Sequence, residues 1–361
     1  MPDKAAILAE ALRLRAAFEA VGAEVAEADI LQPAETLLDL YGEEIRARAY
    51  VTHDPARGEA MLRPDFTVPI VQMHMDGDGG AKRYTYMGEV FRKQEDDRAR
   101  ASEYIQVGYE VFNGSDAAQA DAEVFAAFAQ LLAPLRLRAA TGDIGLLTAA
   151  VKGLSTSDRR KEALLRHLWR PHRFRALMDR FGGRTPMPPS RRALIEAADP
   201  LANAAPEIGL RSRAEVLDRI AALKADAMDP PIAAAEIALL QDLLSLRETP
   251  PNALAHLRNL AVDLPALTPA VNRFEARLEA MTAQGIDVDT LDFEASYGRT
   301  SMEYYDGFVF GFYADGRPNL PPVATGGRYD ALTRVLGRGR ELPAVGGVIR
   351  PALVLDLGGA S

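Results

Sequence analysis

The 361-residue chain contains no cysteine, which excludes disulfide bonds, thiolate zinc sites and cysteine nucleophiles together. Histidine is scarce: only His53, His74, His167, His172 and His256 occur. None belongs to an HExxH pair, and the five-residue spacing of His167 and His172 suits a helix face poorly, which argues against a catalytic metal. A run of about 18 uncharged apolar residues, the length that would cross a membrane, is also missing. The opening MPDKAAILAEALRLR carries charges throughout an amphipathic helix pattern, unlike a signal peptide, so the expected location is the cytoplasm.

What is present is ordinary for a globular protein: 48% hydrophobic and 26% charged residues, enough chain for about two domains. A net charge of -9 argues against a protein built to coat nucleic acid. Between Arg159 and Arg192 the balance reverses, with eleven Lys or Arg against two acids, Glu162 and Asp179. Helical spacing there favours a solvated basic face, while an anionic ligand, an RNA arm or an acidic partner would use the same charges.

Along the chain, Ile7, Leu8, Leu12, Leu14, Phe18 and Val21 fit one broad helical stripe that Gly22 is placed to end. Pro33 cannot donate to a sheet ladder, so its strand is read as an end or edge. A hairpin leading into a helix follows within AYVTHDPARGEAMLRPDFTVPIVQMH, then a helix at DAAQADAEVFAAFAQLLAPL and a strand at LRLRAATGD. From about residue 145 to 285 nearly every pattern is helical and reads as a separate module. Strand signals return at TLDFEASYG and EYYDGFVFGFYADG, before the turn-rich PNLPPVATGGRYD and a closing AVGGVIRPALVLDL.

The stretch from Lys82 to Phe112 reads as two strands joined by a charged loop. Alternation puts Gln106, Gly108 and Glu110 on one face, with Val107, Tyr109 and Val111 on the other. Tyr84, Tyr86, Gly88, Val90 and Arg92 share a face of the incoming strand. Glycine between an amide and a carboxylate suggests a floor with polar walls; an edge hairpin with one solvated face is the alternative.

Four segments then occur in one order: Pro33 after a strand, LRPDFT at 62–67, FRKQ and YIQVGYE between 91 and 110, and YYDG, TGGRYD and GGVIR between 304 and 350. That order resembles the histidyl-tRNA synthetases over nearly the whole chain. The resemblance implies an α+β, class II aminoacyl-tRNA synthetase-like fold, an antiparallel sheet flanked by helices. Residues 1–145 and 286–361 would form the core, and 146–285 a helical insertion. It also implies a histidine site at Asp65, Thr67, Arg92, Gln106, Glu110, Tyr304 and Tyr305. Asp65 and Thr67 would receive the α-amino group, Glu110 the imidazole N–H, and Tyr305 would share the ring.

The departures matter as much. The family's arginine four residues before the tyrosine pair is Thr300 here; Arg299, one residue earlier, would point to the opposite face of a strand. Gln94 replaces the glutamate of FRxE, and Ile349 the glutamate before the last arginine, while Arg92 and Arg350 remain. Only eleven residues follow Arg350, so no anticodon-binding domain is expected. Together these features resemble the ATP phosphoribosyltransferase regulatory subunits. The resemblance implies a non-catalytic subunit in the first step of histidine biosynthesis, with neither cofactor nor metal. It would be required both for activity of a short-form catalytic subunit, within a hetero-octamer, and for feedback inhibition by free histidine. Self-association as a dimer around Pro33 is implied; membrane and tRNA partners are not. The alternative is a truncated synthetase-like enzyme that activates histidine for a non-tRNA acceptor. An RNA-binding remnant using the basic stretch is a third reading.

Overall fold

The computed structural model describes residues 2–41, 48–56, 58–94, 101–112, 116–202, 204, 208–299 and 304–358. The first helix, α1 (Lys4–Ala20), is capped by Asp3 and ends before Gly22, whose φ of +92° a side chain would disfavour. Its buried face is narrower than the sequence suggests: Ala11, Leu14 and Phe18 are inside, whereas Leu8 and Leu12 are each 43% exposed. A 3.6-residue period aligns 11, 14 and 18 and turns 8 and 12 outward.

Short β1 (Glu24–Val25) and β2 (Leu31–Pro33) lead to α2 (Ala34–Tyr41). β3 (Val51–Asp54) and β4 (Gly58–Leu62) form a hairpin that β2 joins, in the order β2-β4-β3, so Pro33 ends an edge strand. After α3 (Thr67–Asp76) come the long strands β5 (Lys82–Phe91) and β6 (Glu103–Phe112), α4 (Ala117–Leu132), β7 (Arg138–Asp143) and α5 (Ile144–Gly153). The helices α6 (Asp158–Arg166), α7 (Pro171–Phe181), α8 (Pro189–Glu196), α9 (Arg213–Met228) and α10 (Ala234–Ser245) follow. Two-residue β8 (Arg247–Glu248) separates them from α11 (Pro250–Asp263) and α12 (Thr268–Ala283). The chain closes with β9 (Asp292–Glu294), β10 (Phe308–Tyr313), β11 (Ala324–Arg328), α13 (Asp330–Leu336), β12 (Ala344–Ile349) and α14 (Pro351–Gly358). β11 corrects the turn-rich reading of PNLPPVATGGRYD: its glycines lie inside a strand paired on both sides.

The main sheet has nine strands in the order β1-β5-β6-β12-β11-β10-β7-β9-β8, with only β1–β5 and β7–β9 parallel. Its registers define two unlike faces. The back carries Val107, Tyr109, Val111, Phe308, Phe310, Phe312 and Ile349, all buried with Phe18, Phe125, Phe128 and Val354 of the covering helices. The front carries Tyr86, Gln106 and Glu110 among glycines. Gly108 opposes Tyr86 and Val348; Gly346 opposes Glu110 and Gly327; Val309 opposes Gly327 and Gly142.

The helical segment shares a core with this front face instead of standing apart. Leu240, Leu243, Leu257 and Phe274 belong to one buried cluster with Tyr86, Tyr305, Val309 and Tyr329. Arg277 of α12 reaches Asp121 of α4 at 3.2 Å and Asp143 at the end of β7 at 2.5 Å. Asp121 also accepts from Arg328 at 2.7 Å, so three separated parts of the chain meet at one carboxylate.

Candidate functional site

The front face is not the open floor that alternation suggests. The ring of Tyr86 lies over Gly108, and the Glu110 carboxylate lies over Gly346, where a Cβ would overlap it. Glu110 is 1% exposed. Its Oε1 accepts from the Tyr86 hydroxyl at 2.7 Å and from Thr67 Oγ1 at 3.3 Å, and its Oε2 from the Tyr329 hydroxyl at 2.6 Å. An ionised carboxylate offers about four acceptor positions, and three are engaged. Burial pushes the Glu110 carboxyl up to about 7, against the pull of the Tyr329, Tyr86 and Thr67 hydroxyls and with a further push from the Asp65 charge.

Asp65 and Thr67 stand at the start of α3, both buried, with Asp65 Oδ1 3.5 Å from the Val68 N–H. Their segment is tied to β5. Phe91 N–H donates to Arg63 O at 3.0 Å, Arg63 Nε to Glu89 O at 2.8 Å, and Arg92 Nε to Pro64 O at 2.7 Å. Arg92 therefore holds the segment that carries Asp65 and Thr67. Gln106 faces the same side as Glu110 and is 1% exposed, yet neither its Nε2 nor its Oε1 has a partner among the described residues. Leaving such a group unsatisfied costs about 1–3 kcal/mol, so this amide needs a polar partner from outside the described residues.

Tyr305 is 5% exposed, with its ring edge where a Cβ at Gly327 would stand, and Tyr304 packs against it at 4.8 Å between ring centroids. Burial and then the Glu110 charge raise the Tyr305 hydroxyl, whose ring stands over Gly327 while the Glu110 carboxylate stands over the opposing Gly346. The structure thus gathers Asp65, Thr67, Glu110 and Tyr305, with Gln106 further along the same face of β6, Arg92 behind and Tyr304 at the edge. Sequence reasoning missed that the Tyr86 and Tyr329 hydroxyls bond Glu110. Tyr86 was legible as a front-face residue; Tyr329 was hidden in GGRYD, where the motif looks like a turn.

Two of the departures read differently in three dimensions. Residues 295–299 form a turn beyond β9, so strand alternation does not decide where Arg299 points. Its Nε donates to Leu168 O at 2.7 Å and its guanidinium lies 4.9 Å from the Phe174 ring centre, both in the helical segment. Thr300 lies outside the described residues. Ile349 is fully buried on the back face, opposite Val107, so its identity concerns core packing and not the chemistry in front. Gln94 donates to Arg92 O at 3.4 Å and Ala101 O at 3.3 Å, contacts that a glutamate could not make when ionised.

A family model described as histidyl-tRNA synthetase matches residues 1–352. A protein of Brucella anthropi named ATP phosphoribosyltransferase regulatory subunit is 32% identical over 92% of this chain and 93% of its own length. The chain belongs to this regulatory-subunit family. Another such subunit, from Brucella canis, is 30% identical over 92% of this chain and 93% of its own. Among solved structures, an ATP phosphoribosyltransferase regulatory subunit/histidyl-tRNA synthetase of Bacillus halodurans C covers 99% of this chain and 81% of its own, at a TM-score of 0.69 and 20% identity. Histidyl-tRNA synthetase from Nostoc sp. PCC 7120 covers 98% and 72% respectively, at 0.64 and 17%. Those structures carry the fold: regulatory subunits of this family have the histidyl-tRNA synthetase architecture, with the α+β class that the motif order implies. No helix among the described residues is long and apolar enough to cross a membrane.

Proposed function

We propose that this regulatory subunit binds free histidine on the front face and, assembled with a short-form ATP phosphoribosyltransferase catalytic subunit, makes that enzyme active and sensitive to histidine. The observation that carries the reading is an unpartnered Gln106 amide buried on the same face of β6 as the Glu110 carboxylate. An imidazole ring offers one N–H to a carboxylate and one acceptor to an amide donor, and an analogue without the N–H leaves a buried acceptor unpaired. Asp65 supplies charge for an α-amino group.

Association has its own support. Ile30, Leu31 and Val51 remain exposed around the small sheet that contains Pro33, an apolar surface suited to a second copy of the chain. The chain alone should sediment as a dimer or larger at micromolar concentration. Mixed with a short-form catalytic subunit it should copurify, ideally as a hetero-octamer, and the mixture should gain activity that histidine suppresses. A strictly monomeric chain, or a catalytic subunit indifferent to its presence, would overturn the proposal.

Amino-acid activation is the competing reading. Thr300 and Gln94 replace groups that would handle charge, and the Arg299 Nε is committed to Leu168. Losing one positioned donor for developing charge costs about a hundred- to a thousand-fold in rate. Histidine-dependent pyrophosphate exchange should therefore stay at background; a rate well above it would favour an enzyme.

A further inference from the structure

A cavity of about 1000 Å³ lies between the helical segment and the front of the sheet, lined by Phe174 and Arg175 of α7, Arg247 of β8, Arg299, and Tyr297 and Tyr305. It shares Tyr305 with the Glu110 group, and the rest of its wall is built from other residues. Its charge is unbalanced. Among the described residues the only carboxylate on its wall is Glu294, which pairs with Arg247 at 2.8 Å and accepts from Ser296 at 2.7 Å. Arg299 is 6% exposed and its second terminal nitrogen has no partner among the described residues. Among the described residues no acid acts on this guanidinium; burial and the Arg175 charge pull it down to about 10. A guanidinium is always charged near neutrality, so one buried beside another cation without a carboxylate is a costly arrangement unless an anion completes it.

We propose that this cavity binds a phosphomonoester, held by Arg299 from the turn after β9 and Arg175 from α7, with the rest of the ligand against the tyrosine wall. Phosphate is the anion that two guanidinium groups on one cavity wall match best, because each fork presents parallel donors to a pair of oxygens. The volume suits a sugar phosphate or nucleotide and far exceeds what an amino acid fills. The site gives a use to one member of the basic stretch at 159–192. Elsewhere in that stretch Arg160, Arg180 and Arg191 all bond Asp226, at 2.8, 2.8 and 3.1 Å. Because the two cations come from different parts of the fold, an occupant would clamp the helical segment to the sheet.

The test is calorimetry on the full chain with ribose 5-phosphate, AMP and inorganic phosphate as probes, alongside free histidine. Wild type should bind at least one of the two phosphomonoesters. Arg175→Gln, an exposed position that leaves the core intact, should weaken that binding about tenfold or more, and Arg299→Gln should abolish it. Histidine affinity should be unchanged in Arg175→Gln. Binding of inorganic phosphate alone would reduce the site to a simple anion hole and overturn the phosphomonoester assignment. No binding of any phosphate probe, or equal binding by wild type and Arg175→Gln, would overturn the proposal. Since histidine is measured on the same samples, its failure to bind while a phosphomonoester binds would count only against the histidine pocket.

Discussion

Glu110→Gln should weaken histidine binding by at least about tenfold, within the 1–3 kcal/mol expected for a lost charged acceptor, and should make stability less dependent on pH. The second effect follows from the carboxyl being pushed up to about 7 by burial. Between the ordinary glutamate value near 4.5 and about 7, the unfolded chain releases this proton while the folded chain keeps it. Stability therefore falls as pH rises through that window, by about 3 kcal/mol in total, and levels off above it. Glutamine, which does not titrate, lacks this contribution. Urea unfolding of both proteins from pH 4 to 8 should show the wild type losing stability relative to the variant as pH rises; parallel curves would mean that Glu110 is not buried as described. Glu110→Ala is a poorer probe than an open pocket wall would allow. It strands the hydroxyls of Tyr86, Tyr329 and Thr67 in the interior, at about 1–3 kcal/mol for each left unsatisfied.

Arg277→Ala should destabilise the chain by about 3–5 kcal/mol, because it leaves Asp121 and Asp143 buried with one fewer cation. Both side chains and the guanidinium are 3–6% exposed, and the guanidinium also lies 4.6 Å from the Phe308 ring centre. Arg138→Ala is the natural control: its pair with Asp292 is 50% and 57% exposed, and such surface pairs contribute about 0–1 kcal/mol. Denaturant midpoints for the two variants should differ severalfold in their displacement, with one cooperative transition in each case. Equal shifts would show that the helical segment is not anchored at Asp121.

Local pattern revealed which residues share the face of the candidate site but not its closure. Alternation along β6 separated Gln106 and Glu110 from Val107 and Tyr109 correctly, because a two-residue period survives any tertiary arrangement. Motif order reached Asp65, Thr67 and Tyr305, whose meeting depends on strands far apart in the chain. What stayed hidden were contacts across register. Nothing in GYE or GGRYD says that Tyr329 will point at Glu110, since that requires β11 and β6 to flank β12. The exposed Leu8 and Leu12 show the opposite failure: an apolar stripe drawn from the sequence overestimates burial where a helix meets the sheet along a single ridge.

The row of front-face glycines also limits how this sequence can drift. Alanine is elsewhere the mildest exchange a protein meets, but at Gly108 its methyl group would occupy the space of the Tyr86 ring, and at Gly346 that of the Glu110 carboxylate. At Gly142 it would stand 2.7 Å from Glu294 O and 2.8 Å from Tyr297 Cβ. The first two changes would each need a second, compensating substitution on a neighbouring strand, whereas at Gly142 the obstacle includes backbone. Variation on this surface is therefore confined to paired replacements, while the aromatic back face can trade one ring or branched chain for another singly.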